Sequence, residues 1–205
     1  YQMISDKFSA EKIKFFSVKG LNVSKYYPMS QHRTMGDCDL MVAAKDLKRA
    51  DKAMKEMNFS YCQTPDFESV YEKNGLVFEI HYHLLYDEIA NKKEDRLFGD
   101  DVWKHTTAQQ NSSEQIIDES FHFIFLLLHL KKHLIHKGVG FRQFIDIYVT
   151  AKKAQLDWDY INSELHNLDL FKFAQVCGAL TVKWFAPNEQ SNSPYGFKLA
   201  EIDDT

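Results

Sequence analysis

The spacing of apolar residues changes character near Glu114, and this change restricts the fold more than any other feature of the chain. Downstream, over 116–137, 141–154, 158–166 and 170–185, apolar residues recur at three- and four-residue intervals, the period of helices that bury one face. Upstream, strand and helix patterns alternate. The run Asp37-Cys38-Asp39-Leu40-Met41-Val42 has period two, and the following 45–57 places Leu47, Ala50, Ala53, Met54 and Met57 on one helical face. Asn74-Gly75 then separates two strand-like segments, 69–73 and 76–84, and predicts a hairpin with a type I′ turn, because both turn residues need positive φ. The expected fold class is therefore α+β: a short mixed sheet backed by helices over 1–105, then a helical bundle over 114–186. Polar residues over 106–113 are expected to link the two halves, Gly138 and Gly140 to end the first long helix, and 187–205 to form a loop-like tail.

Composition narrows the class further. Of 205 residues 44% are hydrophobic, with 16 Phe and 10 Tyr among them, so a large core forms without disulfides or structural metal. Three cysteines, Cys38, Cys62 and Cys177, stand far apart with no CxxC pair, which fits a reducing cytoplasm. The net charge of -4 offers no electrostatic footprint for a long nucleic acid. The longest apolar run, 121–130, is broken by His122 and His129 and is shorter than the roughly 20 residues that span a bilayer, so no membrane contact is expected. The chain opens on Tyr1 and shows no signal-peptide pattern, which reads as a trimmed or partial chain.

Period two also organises the charged residues. On the first strand Asp37 and Asp39 share a face with Met41, while Cys38, Leu40 and Val42 turn to the core. Carboxylates about 7 Å apart along one strand repel when dry, and a divalent cation removes the conflict. On the hairpin strand Phe78, Ile80 and Tyr82 take one face and Glu79, His81 and His83 the other. Three carboxylates on neighbouring strands are the donor set that hard cations such as Mg²⁺ prefer in a two-metal site.

Lys19-Gly20, Arg33 followed by Met35-Gly36-Asp37-Cys38-Asp39-Leu40-Met41-Val42, a helix, and Phe78-Glu79-Ile80-His81 together resemble the polymerase-β-type nucleotidyltransferase superfamily. More narrowly, they resemble the uncharacterised bacterial nucleotidyltransferases with Lys-Gly, Arg-x-x-Gly-Asp-x-Asp and Glu-x-His motifs. The resemblance implies an enzyme that moves an NMP from an NTP, with ATP the expected donor, to a hydroxyl of an unidentified acceptor, a small molecule or a protein. It implies Mg²⁺, or Mn²⁺ in its place, held by Asp37, Asp39 and Glu79, with Glu79 also taking the acceptor's proton. Lys19, Gly20, Arg33, Gly36 and His81 are the implied nucleotide-binding residues, and the helical half is implied to close the cleft. The superfamily usually has Gly-Gly or Gly-Ser at the phosphate turn; here Leu21 follows Gly20, and Lys19 or Arg33 is expected to supply phosphate contacts.

Two other readings stand beside this one. A nucleotide-binding or antitoxin-like regulatory module on the same fold, without catalysis, is favoured by the altered turn. A histidine-based metal site is suggested by His122, His129, His133 and His136, which fall within about a 60° arc of one helix at 100° per residue. With no cysteine or carboxylate to complete a tetrahedral set, the stripe reads first as a packing edge.

Overall fold

The computed structural model describes residues 1–63, 68–85, 91–136, 138–189 and 193–202, with the backbone alone at Gln63, Asp100, His136 and Glu189. The chain divides into two compact units, one of Tyr1–Ser24 with Gln31–Asp118 and one of Lys25–Ser30 with the residues from Glu119 onward. The architecture is α+β: a mixed five-stranded sheet with helices, followed by four long helices.

In the first unit, α1 (Gln2–Ala10) precedes β1 (Phe15–Ser17), a single turn α2 (Gly20–Val23) and β2 (Cys38–Val42). Helix α3 (Leu47–Glu56) leads to β3 (Ser60–Gln63), β4 (Glu68–Lys73) and β5 (Leu76–His81), and the single turn α4 (Lys92–Asp95) follows. The strand order is β1-β2-β5-β4-β3, with β2 and β5 parallel and the other pairs antiparallel. The hairpin forms as its turn residues require: Asn74 and Gly75 have φ of 54° and 78°, and Lys73 pairs with Leu76. Beyond His81 the chain leaves the sheet, so His83 does not continue the strand face; its ring bonds the Leu85 carbonyl and meets Asp95 at 3.2 Å.

One face of this sheet carries the core. Phe15, Leu40, Val42, Phe78, Ile80 and Tyr71 pack with Ile4 and Phe8 of α1 and with Ala50, Ala53 and Met54 of α3, and Cys38, Leu47 and Met57 join at its margin. This is the face period two assigned to Cys38, Leu40 and Val42, and α3 buries the predicted helical stripe. The opposite face holds Phe16 and Met41, paired in register, and Trp103 covers Phe16 edge-on at 4.9 Å between ring centres. Residues 106–113 do more than link: Thr106–Ala108 is strand β6 and pairs with β7, Gln115–Ile117, within the first unit.

The second unit contains α5 (Glu119–His136), α6 (Phe141–Lys153), α7 (Trp158–Asn167) and α8 (Phe171–Phe185). Helix α5 is buried on nearly all sides from Phe121 to Leu128, as a sequence apolar at every position but His122 demands. Gly138, with φ of 78°, takes a bond from its N–H to the His133 carbonyl as the chain leaves α5, whereas Gly140 stands at the start of α6. Residues 25–30 belong here because their side chains bind helix carboxylates. Lys25 and Tyr26 both reach Glu119, and the Tyr27 hydroxyl donates to the buried Asp146 carboxylate at 2.7 Å.

The histidine stripe reads as a packing edge in part: His122 is buried and stacks on Phe125, and His129 meets His133 with ring centres 4.2 Å apart. The His136 side chain lies outside the described residues. The tail is irregular but docked. Tyr195 is buried against Phe123 and Trp158 and its hydroxyl lies 2.6 Å from that of Thr181, while residues 190–192 and 203–205 lie outside the description. No helix among the described residues is long and apolar enough to cross a membrane.

Candidate active site

The polar face of the sheet gathers its charged residues through strand pairing. Parallel pairing of β2 with β5 sets Asp39 opposite Glu79 and Met41 opposite His81, so the Asp39, Glu79 and His81 side chains emerge on the side away from the main core. One ligand atom from each of Asp39, Glu79 and His81 lies within 4.8 Å of the others. Among the described residues this is the one group with the convergence a metal ion requires.

Lys19 enters from the neighbouring strand end. The Val18 N–H bonds the Asp39 carbonyl at 3.1 Å, prolonging the β1–β2 ladder, and the next residue turns sharply with φ of 52° and ψ of -124°. That conformation belongs to glycine-rich turns and is costly for a residue with a Cβ. The lysine holds it while its Nζ pairs with Asp39 Oδ1 at 2.5 Å, and its carbonyl receives the Val23 N–H at the start of α2.

Asp39 is 3% exposed and accepts twice at the same oxygen, from Lys19 and from His81 Nε2 at 3.0 Å. Burial pushes its carboxyl up, but the Lys19 ammonium and the His81 hydrogen bond outweigh this and hold it well below the usual carboxylate range. Burial pulls Lys19 down, and Asp39, with Glu79 and Asp37 further off, more than reverses that, so the lysine stays charged. His81 is likewise pulled down by burial and lifted above the ordinary histidine value by its bonds to Asp39 and Glu79. Its Nε2 is 3.5 Å from Glu79, and its Nδ1 is 3.1 Å from a carboxylate on the next strand, Glu68. Burial raises the Glu68 carboxyl above its ordinary range.

The remaining predicted residues surround this group unevenly. Asp37 stands exposed one residue before β2, outside the convergent set, because the strand ladder that fixes Asp39 begins only at Cys38; its charge still reaches Lys19. Arg33 is buried and donates to the Thr34 carbonyl at 2.7 Å. Its guanidinium lies over Gly20, where a Cβ would come within 3.0 Å of Nη1 and 3.2 Å of Met35. Gly36 is exposed with nothing within 4 Å of where a Cβ would stand.

Glu68 is the member that sequence reasoning passed over, yet a signal for it existed. A two-residue turn at Asn74-Gly75 pairs Lys73 with Leu76, and counting back along both strands pairs Glu68 with His81. The predicted strand began at Ser69, one residue short.

Two carboxylates and an imidazole, partly open through Glu79, are a donor set compatible with a divalent cation. Residues 1–186 match the family described as an uncharacterised nucleotidyltransferase. Among curated proteins none matches the chain. Two solved structures share its fold at 7% identity. The solution structure of the antibiotic-resistance factor ANT(2'')-Ia superposes with a TM-score of 0.57, covering 84% of this chain and 90% of that one. The crystal structure of ANT(2'')-Ia in complex with adenylyl-2''-tobramycin gives 0.59, covering 82% and 94%.

Proposed function

The chain belongs to the family of uncharacterised nucleotidyltransferases, and from that premise we propose that it moves an NMP from an NTP to the hydroxyl of a small-molecule acceptor, with a divalent cation at Asp39 and Glu79. The observation that carries this reading is the convergence of Asp39, Glu79 and His81 beside the Lys19 ammonium. ATP is the first donor to test, and the adenylyl group on the small molecule in one fold neighbour supports both choices. The net charge of -4 weighs against a long polyanion as acceptor. NTP supply and the three free thiols fit a cytoplasmic setting.

When bound, Mg²⁺ or Mn²⁺ would neutralise charge on the phosphoryl oxygens during in-line displacement. Asp39, kept ionised by Lys19 and His81, would anchor that ion together with Glu79, and Asp37, exposed two residues before Asp39, would add a further carboxylate. Glu79, with 22% of its side chain exposed, is open to the acceptor and takes the hydroxyl proton. The acceptor oxygen then bonds the α-phosphorus, the bond from that phosphorus to the bridging oxygen breaks, and pyrophosphate leaves. Lys19 and Arg33 draw the triphosphate, Gly20 leaves room for the Arg33 guanidinium beside it, and the open backbone at Gly36 lets the phosphates approach. His81 serves nucleotide binding by fixing Asp39.

Thermal shift and calorimetry with each NTP, with and without Mg²⁺ or Mn²⁺, test this. One NTP should stabilise the chain in a metal-dependent way, by about 2.7 kcal/mol at a hundredfold excess over Kd. The effect should vanish in Asp39→Asn. An unresponsive wild-type chain, or a variant that responds equally, refutes the site; binding without product over long incubation with candidate hydroxyl acceptors refutes the transfer.

A further inference from the structure

We propose that Glu68 is a positioning residue of this site: it clamps the His81 ring so that Nε2 faces the Asp39 and Glu79 oxygens. The geometry is a chain across three adjacent strands. Glu68 Oε2 lies 3.1 Å from His81 Nδ1, and His81 Nε2 lies 3.0 Å from Asp39 Oδ1 and 3.5 Å from Glu79 Oε2. An imidazole ring turns about two bonds, so one fixed nitrogen fixes the other. With Glu68 accepting from Nδ1–H, the remaining nitrogen has a single direction, into the carboxylate pair. Register makes the contact unavoidable: Glu68 pairs with His81 across the hairpin, and both side chains share the polar face. At 14% side-chain exposure Glu68 is held within the protein rather than in solvent, as a carboxylate with a structural partner should be. Carboxylate–histidine pairs behind metal sites act in this way, and their loss typically costs 10- to 100-fold in metal affinity.

The inference rests on the metal reading above, so its test carries one measurement that needs no metal. Glu68→Gln keeps an acceptor oxygen at the same reach but removes the charge; Glu68→Asp keeps the charge but is one methylene too short. If position is what matters, Glu68→Gln should hold the Mn²⁺ Kd, measured by electron paramagnetic resonance without nucleotide, within about threefold of wild type. Glu68→Asp should weaken it about tenfold or more. In the metal-free chain, a slowly exchanging downfield Nδ1–H resonance of His81, assigned by its loss in His81→Asn, should persist in Glu68→Gln and disappear in Glu68→Asp. The opposite order of the two variants, or no change in either, overturns the proposal. A wild-type chain that takes up no Mn²⁺ defeats the metal reading alone, and the resonance then decides: its persistence in Glu68→Asp refutes positioning, its loss there and retention in Glu68→Gln uphold it.

Discussion

Lys19 combines an unfavourable backbone with a favourable side-chain contact, and substitution can separate the two. Its φ of 52° with ψ of -124° carries a cost of about 1–3 kcal/mol for any residue with a Cβ. Glycine removes that cost and forfeits about 0.5–1 kcal/mol of unfolded-chain entropy. Lys19→Gly should therefore be more stable than Lys19→Ala by about 1 kcal/mol, the reverse of the usual order. Both lose the pair with Asp39, whose side chain is 4% exposed against 20% for the lysine. Removing one partner of a buried pair costs about 3–5 kcal/mol, and the surviving His81 bond at 3.0 Å keeps the loss near the lower end of that range. Wild type should thus exceed Lys19→Gly, and Lys19→Gly should exceed Lys19→Ala. In an Asp39→Asn background the pair is already gone, so Lys19→Gly should become stabilising by about 1 kcal/mol or more through relief of the backbone. Amide hydrogen exchange of the β1 and β2 ladder, which reports the first unit directly, is the assay. Lys19→Ala matching or exceeding Lys19→Gly, or no reversal in the Asp39→Asn background, refutes the account of this turn.

The docked tail and the buried histidine give two further expectations. A Cβ on Gly196 would stand 2.2 Å from Cγ of Trp158 and 2.5 Å from its Cβ, so Gly196→Ala must displace the tail; a loss of about 1–3 kcal/mol, read from Trp fluorescence during thermal unfolding, is expected, and an unchanged midpoint contradicts the docking. His122 is 3% exposed and burial lowers its pKa to about 3. The unfolded chain binds its proton near pH 6.5, so the contribution of neutral His122 is complete above that pH and is lost as pH falls toward 3, by at most about 4–5 kcal/mol. Urea midpoints between pH 7 and 4 should fall more steeply in wild type than in His122→Leu; parallel slopes rule this out.

Local chemistry made much of this protein legible. Period two over 37–42, helical spacing in α3 and the long helices, and the Asn74-Gly75 turn each reflect which torsions and faces neighbouring residues can share, and the α+β order follows from them. The family motifs named Lys19, Asp39, Glu79 and His81 as site residues, and hairpin counting reaches Glu68.

Other features needed the folded chain. Parallel pairing of β2 with β5 brings Asp39 beside Glu79 across the thirty-nine residues between them, and parallel strands leave no turn signal to set such a register. Residues 25–30 joined the helical unit through Glu119 and Asp146, partners that nothing in their own composition marks. The tail appeared as loop because it lacks periodicity, yet Tyr195 and Gly196 find a site on Trp158 that exists only once the helices pack. Sequence by itself determined the main helices, the hairpin and the core face and pointed to Asp39 and Glu79, since torsional preference and burial act on near neighbours. Tertiary structure alone decided that Lys19 and His81 share one oxygen of Asp39 and that Glu68 stands behind His81, because those distances arise only when separate strands are brought into one sheet.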